Sequence, residues 1–470
     1  MASIRNNYTE ASKNETYKEL LSKLECPFNW ELENISKSIK IDYTPHDEEE
    51  LLPLLKLMRI LMIIFMETKD DKSDSNLIFE KLKECNDIYR ILKNKAHPEV
   101  SSKIVYSVLQ ATKCFVYLRL NMEKELDLVY QNFEHIDEMN NKEKSTLLGC
   151  KAICWSIYHR AGSEVAEQLI REAMKLNGNC DMWHFILAKN LRRQRRDYSS
   201  LFDRPDCEER ESFLKAYNIS KNPNYGIFVA QMYRESRQYK EALKIYNNIF
   251  ASFDCLCSSV LLRLALGFIS QKKWQKAKAC LDKAEKTDAK NSMYLHYRGI
   301  YFLKREEYLE ATHYFEKAID DFNLAAEKQY VDCIIKTQKS IDVTKYLLNM
   351  LVKYKSLPDK QLQPLILNVA FSYWKREHDL KESCRYFLKA IEINPRAKCL
   401  MNFYNIDVHH IKERNLYVFL EKYIFPEVIK KCFDEVTIER IKAIREYRHL
   451  NDVAQINALE SGITCINTKK

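Results

Sequence analysis

The chain of 470 residues carries 75 lysines and arginines against 66 aspartates and glutamates, a formal net charge of +9. It contains only 7 glycines and 10 prolines, which argues against compact all-β and doubly wound folds, because those folds need glycine-rich turns. The small charge excess allows a polyanionic partner only where positive charge is locally concentrated. The composition therefore favours a helical protein.

The first residues, Met1–Glu10, are polar and lack the apolar segment of a signal peptide, so a cytoplasmic location is expected. In that compartment the 15 cysteines are expected to be reduced and mostly buried. The most apolar stretch, Leu51–Met66, is too short to span a bilayer and contains Pro53, Lys56 and Arg59. It is interpreted as a buried helix, and no membrane association is predicted.

The chain is divided into four predicted segments. Residues 1–146 are expected to form degenerate N-terminal helical repeats, and residues 147–320 central repeat units that line a basic groove. Residues 321–363 are interpreted as an inserted helical linker, and residues 364–470 as a C-terminal repeat unit followed by capping helices.

Self-similarity with a period of about 34 residues, the length of a tetratricopeptide unit, organises the middle of the chain. In the unit that begins at Ser292, small and aromatic residues occupy the signature positions: Gly299, Phe302, Ala311, Phe315 and Ala318. Small residues there let two helices approach closely, and the aromatic side chains fill the holes between neighbouring units.

The same pattern recurs in units that begin at Leu147, Asp181, Pro223, Ser258 and Pro364. The unit at Asp181 contains an insertion, and its polar stretch Arg195–Glu209 is interpreted as a loop between paired helices. Repetition on this scale is typical of stacked helix pairs. The sequence therefore predicts an all-α fold, a tetratricopeptide-repeat superhelical solenoid.

The first helix of each such unit faces the concave side of the array, so the repeat register predicts which side chains line the groove. The predicted groove is basic with interleaved aromatic rings, and its residues are Lys151, Trp155, Tyr158, Lys189, Arg192, Arg193, Arg234 and His296. Cations for phosphates and flat rings for bases are what a single-stranded nucleic-acid channel needs. A solvated charged face and a groove for acidic peptides are the alternatives.

The segment Leu20–Leu32 reads LLSKLECPFNWEL. It resembles the opening helix of the interferon-induced proteins with tetratricopeptide repeats, the IFIT family, in which a Leu-Glu/Lys-Cys-x-Phe-x-Trp-x-Leu motif begins the fold. The insertion between Asp181 and Ser220, the passage Trp274–Gly299 and the total length are also similar to that family. The resemblance implies a coiled solenoid around a positively charged tunnel that captures the 5′ end of foreign RNA.

By this resemblance, Arg192 matches the family's phosphate-contacting arginine and His296 matches a groove histidine. Other segments differ from the family. Ala152–Ile157 lacks the family's Gly-Trp-Ala-Leu-Leu-Lys pattern, Leu262–Leu266 is more apolar than the family's Arg-Tyr-Ala-Ala-Lys, and Glu33–Glu50 does not match the N-terminal pocket residues. These differences leave open which RNA end is preferred and whether RNA binding itself is altered.

The leading hypothesis is a cytoplasmic RNA-binding protein of antiviral innate immunity, which captures single-stranded RNA 5′ ends in a basic tunnel and blocks their translation. The alternative is a non-catalytic scaffold that binds peptides or partner helices in the same groove, with other tetratricopeptide-repeat proteins or a second copy of itself as partners. No phosphate-binding loop, nucleophile elbow or matched cysteine pairs occur in the sequence. We therefore predict no enzymatic activity, cofactor or metal.

Overall fold

The computed structural model describes residues 19, 21–32, 52–69, 74–95, 97–133, 138–158, 161–198, 204–319, 323–337, 341–408, 410–431 and 434–450. Every regular element within these ranges is helical. The prediction of an all-α, tetratricopeptide-repeat architecture is confirmed. The chain forms two compact units, unit 1 ending at Thr287 and unit 2 beginning at Asp288.

Unit 1 contains twelve α-helices in its described residues. They are α1 Pro53–Glu67, α2 Ser75–Asn94, α3 Ser102–Arg119, α4 Glu123–Gln131, α5 Asn141–Ser156, α6 Ser163–Leu176, α7 Asp181–Tyr198, α8 Cys207–Ser220, α9 Pro223–Glu235, α10 Tyr239–Phe250, α11 Ser258–Ser270 and α12 Trp274–Thr287. Consecutive helices pack in pairs, α5 on α6, α7 on α8, α9 on α10 and α11 on α12, which is the arrangement of helix-pair repeats.

Unit 2 continues the pattern and ends in shorter elements. Its described helices are α13 Ser292–Lys304, α14 Tyr308–Ala318, α15 Leu324–Thr337, α16 Val343–Lys353, α17 Asp359–Lys375, α18 Leu380–Ile393, α19 Lys398–Met401, α20 Leu416–Phe419 and α21 Phe425–Lys430. A π-helical turn, Leu420–Ile424, joins α20 to α21, and a final helix covers residues 435–450.

Local signals fix where two helices of unit 1 begin. Asn140 and Glu143 form a capping box at the start of α5, in which each side chain accepts a hydrogen bond from the other residue's backbone N–H at 3.0 Å. Asp206 caps α8 by accepting from the backbone N–H of Glu209 at 2.7 Å. Such caps satisfy amides that the first helical turn leaves without a partner.

Close packing within and between the helix pairs depends on small residues, of which Gly299 occupies a position that the repeat pattern predicts. A methyl group added at Gly299 would lie 2.5 Å from Cε1 of Phe315, and one added at Gly149 would lie 2.3 Å from Cη2 of Trp183. Both distances are far inside van der Waals contact. The glycine and the ring therefore occupy one hole between adjacent helices, as predicted for the unit at Ser292.

Four of the turns between paired helices contain one residue with a left-handed backbone. The angle φ is 60° at Arg237, 55° at Lys272, 66° at Glu306 and 53° at His378. These residues follow α9, α11, α13 and α17, the first helix of each pair. A left-handed conformation costs a non-glycine residue about 1 kcal/mol, so its recurrence indicates one backbone geometry shared by both units.

Three boundaries differ from the predicted ones. Helix α7 runs to Tyr198, so the predicted loop Arg195–Glu209 begins later than expected. The predicted linker 321–363 contains α15, α16 and the first residues of α17, and Pro364 lies inside α17, not at its start. The division between the compact units falls within the predicted segment 147–320. The four-segment division of the chain stays a prediction.

The opening motif forms a compact turn in its described part, not a continuous helix, because a 3₁₀ turn, Pro27–Asn29, interrupts it. Phe28 stacks on Phe115 with ring centroids 5.0 Å apart. Trp30 is buried, and its Nε1 donates a hydrogen bond to Oε2 of Glu25 at 2.7 Å. The motif therefore anchors the first described residues to the core of unit 1.

Candidate nucleic-acid interface

Helix α7 ends in a dense run of basic residues, and its neighbour α9 faces part of that run. Arg192 and Arg196 are four residues apart on α7, so they project from one face of the helix. Together with residues of α9 and the start of α10 they line a cleft of about 410 Å³ in unit 1. The cleft, called the arginine cleft below, is lined by Arg192, Arg196, Gln231, Arg234, Glu235 and Tyr239.

One carboxylate organises the guanidinium groups around this cleft. Nη2 of Arg192 and Nη2 of Arg196 both lie 2.5 Å from Oε1 of Glu235, and Nη2 of Arg195 lies 2.5 Å from Oε2. Arg192 also donates a hydrogen bond from Nη1 to Oε1 of Gln231 at 3.0 Å. The guanidinium groups of Arg192, Arg195 and Arg196 thus converge on Glu235 of α9.

The charges around Glu235 reverse the effect of burial on its acidity. Burial alone would raise the pKa of Glu235, but the guanidinium groups of Arg192, Arg196 and Arg195 outweigh it and lower the pKa to about 2. Glu235 is therefore ionised at neutral pH. Three arginines less one glutamate leave the cleft lining with a net charge of +2.

The ring of Phe228 contacts Arg192. The guanidinium carbon of Arg192 lies 5.6 Å from the ring centroid of Phe228, and the guanidinium carbon of Arg263 lies 5.4 Å from the same centroid. Contacts of this kind are favourable cation–π interactions. Only 9% of the Arg192 side chain is exposed, against 53% of the Arg196 side chain. Arg192 is therefore braced inside the protein, and Arg196 is the cation that solvent reaches most easily.

The predicted groove residues of α5 are only partly accessible. Nζ of Lys151 forms a salt bridge of 2.8 Å with Oε2 of Glu25, so the opening motif neutralises it. Trp155 is half-buried, with its ring centroid 6.3 Å from that of Tyr158. Tyr158 follows α5 and has 0% of its surface exposed, which is a correction to its predicted position, because a ring with no exposed face cannot stack on a base.

The remaining predicted residues of α7 are half-buried beside the cleft and do not line it. Arg193 donates a hydrogen bond to the backbone carbonyl of Ser156. Nζ of Lys189 lies 5.7 Å from the ring centroid of Phe185. The structure thus brings Arg192 and Arg234 together in one cleft and directs Arg193 toward the end of α5.

His296 lies in unit 2 and is buried. Its Nδ1 is 3.5 Å from Nδ2 of Asn323, and its ring centroid is 5.9 Å from that of Phe315. Burial lowers the pKa of His296 to about 4. The residue is therefore neutral at physiological pH and packs within its repeat pair, which is a correction to its predicted place in the RNA-binding groove.

Four cleft residues were not among the predicted site residues: Arg196, Gln231, Glu235 and Tyr239. The helical period could have identified Arg196, because it lies one turn beyond Arg192 on the same face. Tyr239 is 56% exposed at the first position of α10. The repeat register assigns groove positions only to the first helix of each unit, so it does not identify a residue of the second helix such as Tyr239.

One group of side chains in unit 1 has the chemistry of metal ligands. The ligand atoms of His97, Cys180 and Asp181 all lie within 4.8 Å of one another. The backbone N–H of Glu99 donates to Nδ1 of His97 at 3.2 Å, so a neutral ring carries its proton on Nε2, which lies 2.6 Å from Oδ1 of Asp181. Burial raises the pKa of the Cys180 thiol to about 12. These hydrogen bonds link the segment before α3 to the start of α7, so the group has a structural role in holding the two together.

The fold and the cleft define a tetratricopeptide-repeat protein with a basic cleft. No family model and no curated protein matches the chain. Among solved structures, the human IFIT1 dimer with m7Gppp-AAAA is similar at a TM-score of 0.64 and 14% identity, covering 92% of this chain and 96% of that one. The human IFIT1 dimer with PPP-AAAA gives a TM-score of 0.61 at 14% identity, over 94% and 99% of the two chains.

The chain therefore has the fold of human IFIT1, and the predicted resemblance is confirmed at the level of the fold. Identity of 14% carries no residue-level conclusion. Within the described part of the chain, no helix is both long enough and apolar enough to cross a membrane.

Proposed function

We propose that this protein binds RNA in the arginine cleft of unit 1, with the 5′-terminal phosphates against Arg192, Arg196 and Arg234. The observation that carries the proposal is the convergence of three guanidinium groups on one cleft that contains a single carboxylate. A guanidinium group binds phosphate oxygens in pairs, and a net positive lining attracts a polyanion. Binding of this kind, without catalysis, would withhold the RNA end from translation, as expected of an antiviral protein in the cytoplasm.

The similarity to human IFIT1 supports the proposal, because the solved IFIT1 structures hold m7Gppp-AAAA and PPP-AAAA. Tyr239 adds a ring beside the arginines on which a terminal base can stack. Single-stranded ends are favoured, because unstacked bases reach such a ring more easily than paired ones.

The test is fluorescence anisotropy with short RNAs that differ only in the 5′ end: triphosphate, monophosphate, hydroxyl or cap. We expect the double variant Arg196→Gln, Arg234→Gln to lose at least tenfold in affinity for the phosphorylated RNA. The slope of log K against log salt concentration should fall by about 1.4, since each lost phosphate contact on a single strand contributes about 0.7.

The matched control is Arg171→Gln, which also replaces an arginine by glutamine but outside the cleft. Nη1 of Arg171 forms a salt bridge of 2.5 Å with Oε1 of Glu208. Its RNA affinity should stay within twofold of the wild type. Equal affinity in the double variant and the control would refute the cleft as the RNA site.

A protein-interaction scaffold is the second candidate. The observation in its favour is that Glu235 and Glu209 already form salt bridges with the arginines of α7, as in a structural network. Pull-down of partners before and after nuclease treatment separates the two functions. Partners lost with the RNA support the first, and partners retained support the scaffold.

A further inference from the structure

Unit 2 contains a cavity of about 270 Å³ between α15, α17 and the segment 399–407. Its walls are largely apolar and include Val331, Leu367, Phe371 and Phe403. Pockets for drug-sized ligands usually measure about 300–1,000 Å³, so this cavity fits a smaller molecule with an apolar part.

Two opposite charges line the cavity without a hydrogen-bonded partner among the described residues. Lys328 and Asp332 lie one turn apart on α15, and neither forms a hydrogen bond or salt bridge with any residue that the structure describes. A third charged residue of the lining, Asp407, is already paired, with Oδ1 2.5 Å from Nη2 of Arg376. The cavity thus offers one cation and one anion to a ligand.

The acidities of these two groups show that burial outweighs the attraction of the nearest opposite charges, which are Lys336 and Lys328 for Asp332 and Asp332 for Lys328. Burial raises the pKa of Asp332 to about 6 and lowers the pKa of Lys328 from its ordinary value. Burial disfavours the charged form of an acid and of a base alike unless an opposite charge lies nearby. A ligand that carried both a positive and a negative charge would stabilise the ionised forms of Asp332 and Lys328 together.

We propose that this cavity binds a free α-amino acid with an apolar side chain, its ammonium group on Asp332 and its carboxylate on Lys328. An α-amino acid carries both charges on one small body, whereas a lone basic or acidic group would leave one of the two protein charges without a partner. The apolar walls then receive the side chain of the ligand. The amide of Asn368, held by a hydrogen bond of 3.1 Å from Nδ2 of Asn405, borders the same cavity and orients polar atoms of the ligand.

The competing arrangement is a salt bridge between Lys328 and Asp332 themselves after side-chain rotation. Residues at this spacing can pair, although the order with lysine N-terminal to the acid is the weaker one. In that case the two charges would satisfy each other, and no amino acid would bind.

The experiment is isothermal titration calorimetry of the wild-type protein with L-leucine and three analogues. N-acetyl-L-leucine lacks the ammonium charge, L-leucinamide lacks the carboxylate, and glycine lacks the apolar body. We expect L-leucine to bind at least tenfold more tightly than each analogue. No binding of L-leucine, or equal binding of N-acetyl-L-leucine, would overturn the proposal, and neither result depends on a variant that folds poorly.

Variants locate the site. Asp332→Asn and Lys328→Met should each weaken L-leucine binding at least tenfold, because each removes one of the two charge pairs. The control Lys345→Met removes an exposed lysine of α16 that does not line the cavity, and it should leave the affinity unchanged. Equal effects of Lys328→Met and Lys345→Met would refute the assignment.

The affinity should also depend on pH. Protonation of Asp332 removes its attraction for the ammonium group, so binding should weaken as the pH falls through about 6. The other charged groups that act on Asp332 are Lys328 and Lys336 on its own helix and Asp407 opposite. Burial raises the pKa of the nearby Cys399 thiol to about 11, so it stays neutral throughout. An affinity that is constant from pH 8 to pH 5 would contradict the role of Asp332.

Discussion

The pKa values of two half-buried carboxylates are shifted in opposite directions. One is Glu235 in the arginine cleft of unit 1, and the other is Asp332 in the cavity of unit 2. Burial pushes the pKa of both groups upward. The pKa of Glu235 is nevertheless about 2, since three guanidinium groups lie against it, while the pKa of Asp332 is about 6. The comparison shows that the charges a neighbouring element supplies, more than burial, determine what each group contributes to stability and to binding.

The largest expected effect is the loss of stability on replacement of Glu235. Its folded-state pKa lies below the ordinary value of 4.5, so the carboxylate stabilises the fold above that pH, and the contribution disappears as the pH falls toward 2. Glu235→Gln should therefore lower the free energy of unfolding by about 3 kcal/mol at pH 7. Urea unfolding at pH 7 and pH 3, followed by circular dichroism, measures this.

Glu167→Gln is the control for Glu235, because it removes a carboxylate that forms a salt bridge of 2.7 Å with Arg171 outside the cleft. Its cost should stay below about 1 kcal/mol. If the two variants unfold at the same urea concentration, the guanidinium cluster does not stabilise Glu235 in the way described.

The same chemical change at Asp332 should have the opposite sign. Its folded-state pKa is raised above the ordinary value of 3.8, so the ionised carboxylate destabilises the fold at high pH, and the penalty vanishes below that value. Asp332→Asn should raise the free energy of unfolding by roughly 2 kcal/mol at pH 7.5 and leave it unchanged at pH 3.5. The exposed Asp359→Asn is the control. A loss of stability in Asp332→Asn would show that an opposite charge already compensates Asp332.

A smaller effect on RNA affinity should distinguish the arginine cleft from the cavity of unit 2. Tyr239→Ala should weaken RNA binding by about tenfold, because stacking on an aromatic ring contributes about 1–3 kcal/mol per base. Tyr404 borders the cavity of unit 2 and is 64% exposed, so Tyr404→Ala should leave RNA binding unchanged. Comparable losses in both variants, measured by fluorescence anisotropy, would place the RNA outside the arginine cleft.

The smallest effect concerns the backbone that both units share. Lys272 in unit 1 and Glu306 in unit 2 adopt left-handed conformations after the first helix of their pairs. Replacement of either residue by glycine should raise the melting temperature through a gain below about 1 kcal/mol, since glycine avoids the left-handed penalty but loses more chain entropy. Similar gains at both positions would confirm that the units differ in their side chains and not in their turns.

The sequence predicted much of the fold because small and large residues recur at a fixed period, and that period specifies which helices pair. It predicted only part of the site. Arg192 and Arg234 meet in the cleft as the repeat register suggests, but Tyr158 and His296 are buried. A register gives the face of a helix, and it does not give the depth to which the adjacent helices cover that face.

The sequence by itself determined that the protein is a stack of helix pairs with a basic run near the end of α7. Only the tertiary structure decided which of those charges are compensated, because Glu235 on α9 and Glu25 in the opening motif reach Arg192 and Lys151 through space. Electrostatic energy depends on distances between atoms of different elements. Such distances follow from how the elements pack, and residue spacing along one helix does not contain them.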